Sequence, residues 1–238
     1  MSFRVVELWR YPVKSMLGER RESLRVEMRG VEGDRLFAIR DAQGKLGSGK
    51  HTRRFRKIDG LFGFHATYRD GAPLVHFPDG REINADAPSI HQALSEALGL
   101  PVTLAREAEI PHFDSAPIHL VTTGSLAWLR SALPAAGIDA RRFRPNLVIE
   151  VPDSGTIEQG WIGKRLRVGK VELQVCDTTE RCGMVAFAQS ELPKAPEVLR
   201  HITRGAELKF GVYARVLRPG SVRLHAPVVL AGIDAERT

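Results

Sequence analysis

The sequence has little cysteine, few aromatic residues and no long apolar run. Only 2 of its 238 residues are cysteines, which are too few for a disulfide framework and favour a reducing compartment. No segment approaches the roughly 18 consecutive apolar residues that a membrane span requires. Charged residues interrupt each apolar run near the N-terminus, unlike a signal peptide. These absences predict a cytoplasmic protein that is not anchored in a membrane.

The chain carries an excess of positive charge, with a formal net charge of +7 at pH 7. Its arginines are scattered, apart from local clusters at residues 51–57 and 140–146, and there is no basic tail. Aromatic residues make up only 7% of the chain, and no RNA-stacking motif or zinc finger is present. We therefore expect these clusters to be solvated or to bind small anions, and we expect no nucleic-acid partner.

Several common catalytic motifs are missing. Residues 44–51, GKLGSGKH, approach a phosphate-binding P-loop, but His51 stands where Ser or Thr is needed and no helical periodicity follows. Lys50 remains able to help neutralise some other anion. There is no His-x-x-x-His, Cys-x-x-Cys or Gly-x-Ser-x-Gly pattern, which argues against a local zinc site and a serine hydrolase.

Short runs of β-branched and aromatic residues predict a strand-rich fold. Such runs cover residues 3–13, 35–41, 62–68 and 145–151, and two Asp-Gly turns flank a further run at 74–77. Two later hairpins are predicted to turn at Gly169-Lys170 and Pro219-Gly220. Helical spacing predicts helices at residues 89–98, 122–133 and 196–202. The pattern indicates a mainly-β protein of barrel-like form with a few covering helices, and residues 101–117 form the least periodic segment.

The two cysteines differ in their surroundings. Cys176 is interpreted as a small buried hydrophobe that continues the alternation of residues 171–176. Cys182 follows a polar turn and stands beside Arg181, whose guanidinium favours the thiolate form. A thiolate is a nucleophile and a ligand for soft metals. The residues therefore favour Cys182 as the reactive sulfur and leave its chemistry open, while His112 and Asp114 are acid–base candidates in the irregular segment.

Six segments resemble one protein family. Residues 8–19, LWRYPVKSMLGE, resemble the opening of the MOSC N-terminal β-barrel domain, and residues 114–129, 141–150, 158–169, 178–185 and 210–222 resemble the MOSC domain. This family takes its name from the C-terminal domain of molybdenum cofactor sulfurase and also forms amidoxime-reducing molybdoenzymes. The resemblance implies a mainly-β (α+β) fold, with a smaller N-terminal β-barrel domain over residues 1–105 and a MOSC-type barrel with covering helices over 106–238.

The resemblance also implies a site for molybdenum cofactor (molybdopterin). It places the catalytic, metal-binding thiolate at Cys182, which is a molybdenum ligand in the reductases and a persulfide carrier in the sulfurase-type proposal. It places the phosphate of the pterin cofactor at Lys14 and Ser15. The remaining cofactor-binding positions that it implies are Arg35, Ser125, Arg144, Asn146 and Arg181.

Three functions follow from this resemblance: reduction of small N-hydroxylated or oxygenated substrates, sulfur transfer through a Cys182 persulfide, and cofactor binding without catalysis. Residues 183–199 differ from the run that follows the motif cysteine in the reductases, so the substrate-facing residues are expected to differ. The family is also associated with pyridoxal phosphate. We expect neither an iron–sulfur domain nor a pyridoxal-phosphate desulfurase domain here, and so we expect separate electron-donor or sulfur-donor proteins.

Overall fold

The computed structural model describes residues 3–69 and 71–231, and within them the chain forms eighteen strands and three α-helices. The first ten strands precede the first helix: β1 Phe3–Arg10, β2 Glu19–Arg21, β3 Ser23–Glu27, β4 Gly30–Val31, β5 Phe37–Asp41, β6 Leu46–Ser48, β7 Phe55–Lys57, β8 His65–Arg69, β9 Ala72–His76 and β10 Glu82–Asn84. The remaining elements are α1 Ile90–Leu98, β11 Val102–Arg106, β12 Ile118–Thr122, α2 Thr123–Ala132, β13 Leu147–Glu150, β14 Arg165–Val168, β15 Val171–Glu180, α3 Pro196–Ala206, β16 Lys209–Arg218, β17 Gly220–Arg223 and β18 Pro227–Ala231.

Seven strands close into a barrel. Their order is β13-β12-β16-β15-β14-β18-β1, and pairing of β1 with β13 completes the ring. The β12–β13 pair is parallel, whereas the other pairs in the ring are antiparallel. Alternate residues such as Val5, Leu120, Leu166, Leu173 and Val212 fill the interior. Closure pairs each wall strand on both sides, and the predicted mainly-β, barrel-forming fold class is confirmed.

Two smaller sheets lie in the N-terminal part of the chain. Their strand orders are β11-β5-β6-β7 and β10-β9-β8. Their apolar faces share a core with α1, to which Ile39, Phe64, Val75, Ile90 and Leu94 contribute. Strand β1 belongs to the large barrel and β3 pairs with β17, so the N-terminal chain also supplies part of the barrel wall. The division at residues 105 and 106 stays a prediction.

The helix ends follow local sequence signals. Helix α1 ends at Gly99, whose φ of 66° is the left-handed conformation that glycine adopts easily, although Ser89 makes no side-chain cap at its start. The Thr122 hydroxyl accepts a hydrogen bond from the Ser125 amide and caps α2. Helix α3 begins with Pro196 in its first turn. No helix within the described residues is long and apolar enough to cross a membrane.

The predicted last hairpin is wrong. Strand β16 does end at the Pro219-Gly220 turn, but β17 pairs with β3, and β18 pairs with β14 and β1. Both edges of β16 are already occupied by β12 and β15 in the closed barrel, so β17 must find another partner. Of the two predicted Asp-Gly turns, Asp79-Gly80 joins β9 to β10, and Asp70 lies outside the described residues.

The predicted burial of Cys176 is also wrong, because its side chain is exposed. Val171, Leu173 and Val175 face the barrel core, so the period of two places Cys176 outside with Glu172 and Gln174. A bulge between Val175 and Asp177 then shifts the register. The Cys176 thiol is therefore on the outer wall of the barrel.

Candidate functional site

A cleft lies where the N-terminal segment meets one end of the barrel. Of the site residues that the family resemblance implies, all except Ser125 line it. The lining residues are Lys14, Ser15, Arg35, Lys50, Asp114, Ala116, His119, Arg142, Phe143, Arg144, Asn146, Glu180, Arg181, Cys182, Met184 and Tyr213. Cationic side chains therefore outnumber carboxylates along this wall, and one thiol is present.

Three non-glycine residues of the cleft have left-handed backbones. The φ values are 65° for Ser15, 50° for Arg35 and 56° for Arg144. This conformation costs roughly 1–2 kcal/mol for each residue with a Cβ atom. Surrounding contacts hold it in place: the Lys14 amide donates to the Phe37 carbonyl at 2.8 Å, and the Ser15 hydroxyl donates to the Gly47 carbonyl at 3.0 Å. Such strained positions are concentrated at binding and catalytic sites.

The cationic side chains are largely withdrawn from water. Lys14 is only 3% exposed, and burial, reinforced by repulsion from Arg35 and Arg144, lowers the pKa of its ammonium group to about 8. Burial and the charge of Arg35 likewise lower the pKa of Arg144 to about 10. Both shifts arise because desolvated like charges lie close together. An anionic ligand would relieve this repulsion.

Asp114 is the acidic neighbour of the lysines. Its Oδ1 atom lies 3.2 Å from the Lys14 Nζ and 3.7 Å from the Lys50 Nζ. Partial burial disfavours its charge, but the attraction of the two ammonium groups is stronger and holds its pKa well below the ordinary range. Asp114 is therefore ionised at neutral pH and offsets part of the positive charge.

Arg35 joins the N-terminal segment to the barrel end. It forms an ion pair with the fully buried carboxylate of Asp34, and its Nη2 donates to the Arg144 carbonyl at 2.9 Å. The Asn146 Oδ1 accepts from the His119 amide at 3.1 Å, and the Asn146 Nδ2 donates to the Trp9 carbonyl at 3.3 Å. Much of the hydrogen-bonding capacity of Asn146 is therefore used to hold the backbone of the cleft.

Three buried nitrogen atoms of the cleft have no hydrogen-bond partner among the described residues: Arg144 Nη2, Arg181 Nε and His119 Nε2. The His119 Nδ1 lies 3.3 Å from the Arg144 carbonyl, which can only accept, so Nδ1 carries the proton and Nε2 has a lone pair. Burial, with repulsion from Arg181, lowers the pKa of His119 well below its ordinary value and keeps the ring neutral. Unpaired buried donors are costly, so the two arginine atoms fit an acceptor-rich anionic ligand.

Cys182 follows β15 and precedes a 3-10 turn over Gly183–Ala186. Its thiol is free and half-buried at the cleft wall, whereas Cys176 does not line the cleft. Within the part of the chain that the structure describes, no group of three His, Cys, Asp or Glu side chains is arranged to hold a metal. One thiol and several cationic groups fit a metal whose other ligands belong to a cofactor. A dithiolene cofactor that also carries a phosphate is of this kind.

Two predicted residues lie elsewhere. Ser125 is fully buried in the first turn of α2, where its hydroxyl donates to the Glu158 carboxylate at 2.5 Å, and it does not line the cleft. His112 is fully buried and also lies off the cleft lining, with its amide donating to Glu107 at 2.7 Å. Burial lowers the pKa of His112 to about 4, so its imidazole is neutral at pH 7.

The lining residues that sequence reasoning did not single out include His119, Glu180, Met184 and Tyr213. His119 and Tyr213 are cross-strand partners in β12 and β16, so the pairing of these two strands brings both side chains to the cleft. Burial and the charge of Asp114 raise the pKa of Tyr213 to about 12. An alternating strand pattern places such side chains on one face, but it does not reveal that a cleft lies there.

The fold and the site together define a β-barrel protein with a cationic cleft and one half-buried thiol. The model of the MOSC domain matches residues 90–229, and that of the MOSC N-terminal beta barrel domain matches residues 2–101. The chain belongs to the MOSC family.

Curated relatives match part of the chain. It is 35% identical over 74 residues to a molybdenum cofactor sulfurase of Drosophila ananassae, which is 30% of this chain and 9% of that protein. It is 31% identical over 80 residues to a molybdenum cofactor sulfurase of Drosophila erecta, which is 33% of this chain and 10% of that protein. The chain thus matches about a tenth of the length of these relatives.

Among solved structures, the YUAD protein from Bacillus subtilis is similar over almost the whole chain. The comparison covers 97% of this chain and 96% of that one, with a TM-score of 0.56 and 15% sequence identity. At this identity the likeness concerns the fold alone.

Proposed function

We propose that the protein binds molybdenum cofactor in the cationic cleft, with Cys182 as the thiolate ligand of the metal, and that it reduces small N-hydroxylated or oxygenated substrates. One observation carries this proposal. Lys14, Arg35 and Arg144, which are far apart in the chain, line the same cleft as Cys182. Cations suit a phosphate, and a thiolate suits a soft metal.

In this proposal different residues of the chain bind different parts of the cofactor. Lys14 and Ser15 hold the phosphate, where the Lys14 ammonium supplies charge. The unpaired Arg144 Nη2 and Arg181 Nε donate to further acceptors of the cofactor. When bound, the cofactor supplies a metal that exchanges two electrons. The preset donors would also stabilise negative charge that develops near the metal.

The reaction requires electrons from outside the cleft. We propose separate electron-donor proteins and a cytoplasmic location, and two features support this. The donor set of the described residues contains no cysteine cluster for an iron–sulfur centre. Both cysteines are free thiols, as is usual in a reducing compartment.

The test is the cofactor content of the purified protein. The wild type is expressed in a host that makes molybdenum cofactor, and molybdenum and pterin are measured per chain. We expect both in the wild type and in Cys176→Ser, and a large loss of molybdenum in Cys182→Ser. Wild-type protein that lacks either component contradicts the proposal.

The names of the curated relatives favour sulfur transfer as a second function. In that reaction the Cys182 thiolate attacks the outer sulfur of a donor persulfide, a new S–S bond forms at Cys182, and the donor thiolate leaves. Mass spectrometry after incubation with a cysteine desulfurase and cysteine should then show one added sulfur on Cys182 and none on Cys176. Sulfur on both residues, or on neither, contradicts this function.

A further inference from the structure

The carboxylate of Asp114 is placed as a ligand anion would be. Its Oδ1 atom contacts the ammonium groups of both Lys14 and Lys50, at 3.2 and 3.7 Å. The two lysines come from separate loops of the N-terminal segment, and Asp114 comes from the irregular segment between β11 and β12. One oxygen atom therefore contacts two cations that the fold brings together and offsets part of their charge.

A single aromatic ring positions the two lysines. The Nζ atom of Lys14 lies 5.0 Å from the centroid of the Phe55 ring, and that of Lys50 lies 4.6 Å from it. Ammonium groups are attracted to an aromatic face at these distances. Phe55 is itself buried in a core cluster with Ala38 and Leu46. The pair of cations is thus held by the fold, independently of Asp114.

Asp114 is held less firmly than Lys14. Within the described residues, its side chain has hydrogen-bond and ion-pair contacts with Lys14 and Lys50 alone. The side chain of Asp114 is 44% exposed, that of Lys50 is 37% exposed and that of Lys14 is 4% exposed. The carboxylate can therefore rotate into water while the buried Lys14 ammonium group stays in place.

We propose that Asp114 is the internal occupant of an oxyanion site formed by Lys14 and Lys50, and that a phosphate-like or sulfate-like group binds by replacing its carboxylate. This inference rests on the proposed cofactor site, in which Lys14 meets a phosphate. It adds that Asp114 serves as the counter-ion of the two lysines until a ligand binds, which limits binding of ambient anions.

Removal of the Asp114 charge has two opposing effects. An entering oxyanion is no longer repelled by a carboxylate, which tightens its binding. Lys14 also loses an attraction that favours its charged form, so it releases its proton at a lower pH. Arg54 lies over the same Phe55 ring, at 5.2 Å from its centroid. The other charged or titratable groups that face the cleft are Arg35, His119, Arg142, Arg144, Glu180, Arg181, Cys182 and Tyr213. The gain in affinity should therefore be largest near pH 6 and should shrink as the pH approaches 8.

The experiment compares sulfate binding by wild type and Asp114→Asn near pH 6. Sulfate is a dianion at this pH. Because sulfate that binds the folded state stabilises it, the midpoint of unfolding rises with sulfate concentration and reports the affinity. We expect the apparent affinity of Asp114→Asn to be about tenfold higher than that of the wild type, the size of effect that one nearby charge produces in a partly solvated site. An equal or lower affinity overturns the inference.

Controls separate this effect from others. Sulfate also stabilises proteins by exclusion from their surface, and Lys14→Met reports that background. Asp59→Asn removes an exposed carboxylate paired with Lys57 at 3.3 Å, away from the cleft lining, and should leave sulfate affinity unchanged.

If Asp114→Asn fails to fold, Lys50→Gln provides the second test, because loss of one ammonium group must weaken sulfate binding severalfold. Unchanged binding by Lys50→Gln overturns the inference.

A second arm identifies the source of the oxyanion. If pterin retained by the purified protein falls as sulfate is added, the site serves the phosphate of an organic cofactor; if pterin does not change, it serves free oxyanions. Failure of the two proposals is distinguishable. A protein without molybdenum or pterin, whose Asp114→Asn variant still binds sulfate more tightly, contradicts the proposed function alone.

Discussion

The Arg35 guanidinium donates a hydrogen bond to the backbone carbonyl of Arg144 at 2.9 Å, and both residues have left-handed backbones. The contact therefore helps to hold the Arg144 backbone in a conformation that is unfavourable for a residue with a side chain. The contact joins the turn before β5 to the turn before β13. It places two guanidinium groups along one cleft. The strained backbones therefore contribute to a preorganised binding surface.

The Arg35 network predicts a large effect of Asp34→Ala on stability. Asp34 is fully buried, pairs with Arg35 and accepts a hydrogen bond from the Tyr11 amide at 2.7 Å. Its removal leaves a buried guanidinium unpaired, which should lower the free energy of unfolding by about 3–5 kcal/mol. Urea denaturation measures this change. Asp59→Ala, at an exposed ion pair, should change the same quantity by less than about 0.5 kcal/mol, and a similar loss in both variants would contradict the explanation.

Lys14 predicts an alkaline rise in stability. Burial lowers its pKa from 10.5 to about 8 in the folded protein. Between these pH values the unfolded chain binds more protons at Lys14 than the folded chain does, so the free energy of unfolding increases with pH. Relative to Lys14→Met, the free energy of unfolding of the wild type should increase by an amount on the order of 3 kcal/mol. The comparison isolates Lys14, because the contributions of the other titrating groups are common to both proteins and cancel. Chemical denaturation from pH 7 to 10.5 without added oxyanions tests it, and parallel curves for the two proteins would count against a buried, titrating Lys14.

Glu207→Gly should stabilise the protein. Glu207 ends α3 with a φ of 49°, a left-handed conformation in which glycine avoids the Cβ penalty. The substitution also removes an exposed ion pair with Lys209, but such pairs contribute little. We expect a net gain of about 0.5–1 kcal/mol in the free energy of unfolding. Arg200→Gly, in the exposed middle of the same helix, should instead cost about 1 kcal/mol, and loss of stability in both variants would disprove the capping argument.

Cys176→Ser should be almost neutral, because the thiol is on the outer wall of the barrel. We expect a change of less than about 0.5 kcal/mol in the free energy of unfolding. Leu173→Ala, three residues earlier on the same strand but within the core, should cost about 2–5 kcal/mol. Calorimetric or urea unfolding of the two variants makes the comparison. If Cys176→Ser lowered the free energy of unfolding by several kcal/mol, the result would indicate that this side chain lies in the core.

Local sequence signals predicted local structure well. Gly99, Pro196 and the Gly169-Lys170 turn each end or begin an element where the sequence predicts it. These signals work because each depends on backbone preferences of one or two residues. The error at Cys176 arose from a miscounted alternation, which the period of two would have corrected. The error at β17 could not be corrected in that way, because its partner β3 is set by barrel closure.

The sequence alone determined the chemical types available to the site, a thiol beside Arg181 and several lysines and arginines in short motifs, because composition and resemblance are properties of the chain itself. Only the tertiary structure decided that Asp114 meets Lys14, 100 positions earlier in the chain, and that Ser125 is buried against Glu158 away from the cleft. Contacts of that range depend on which strands pair and how the two cores pack, and no local preference encodes them.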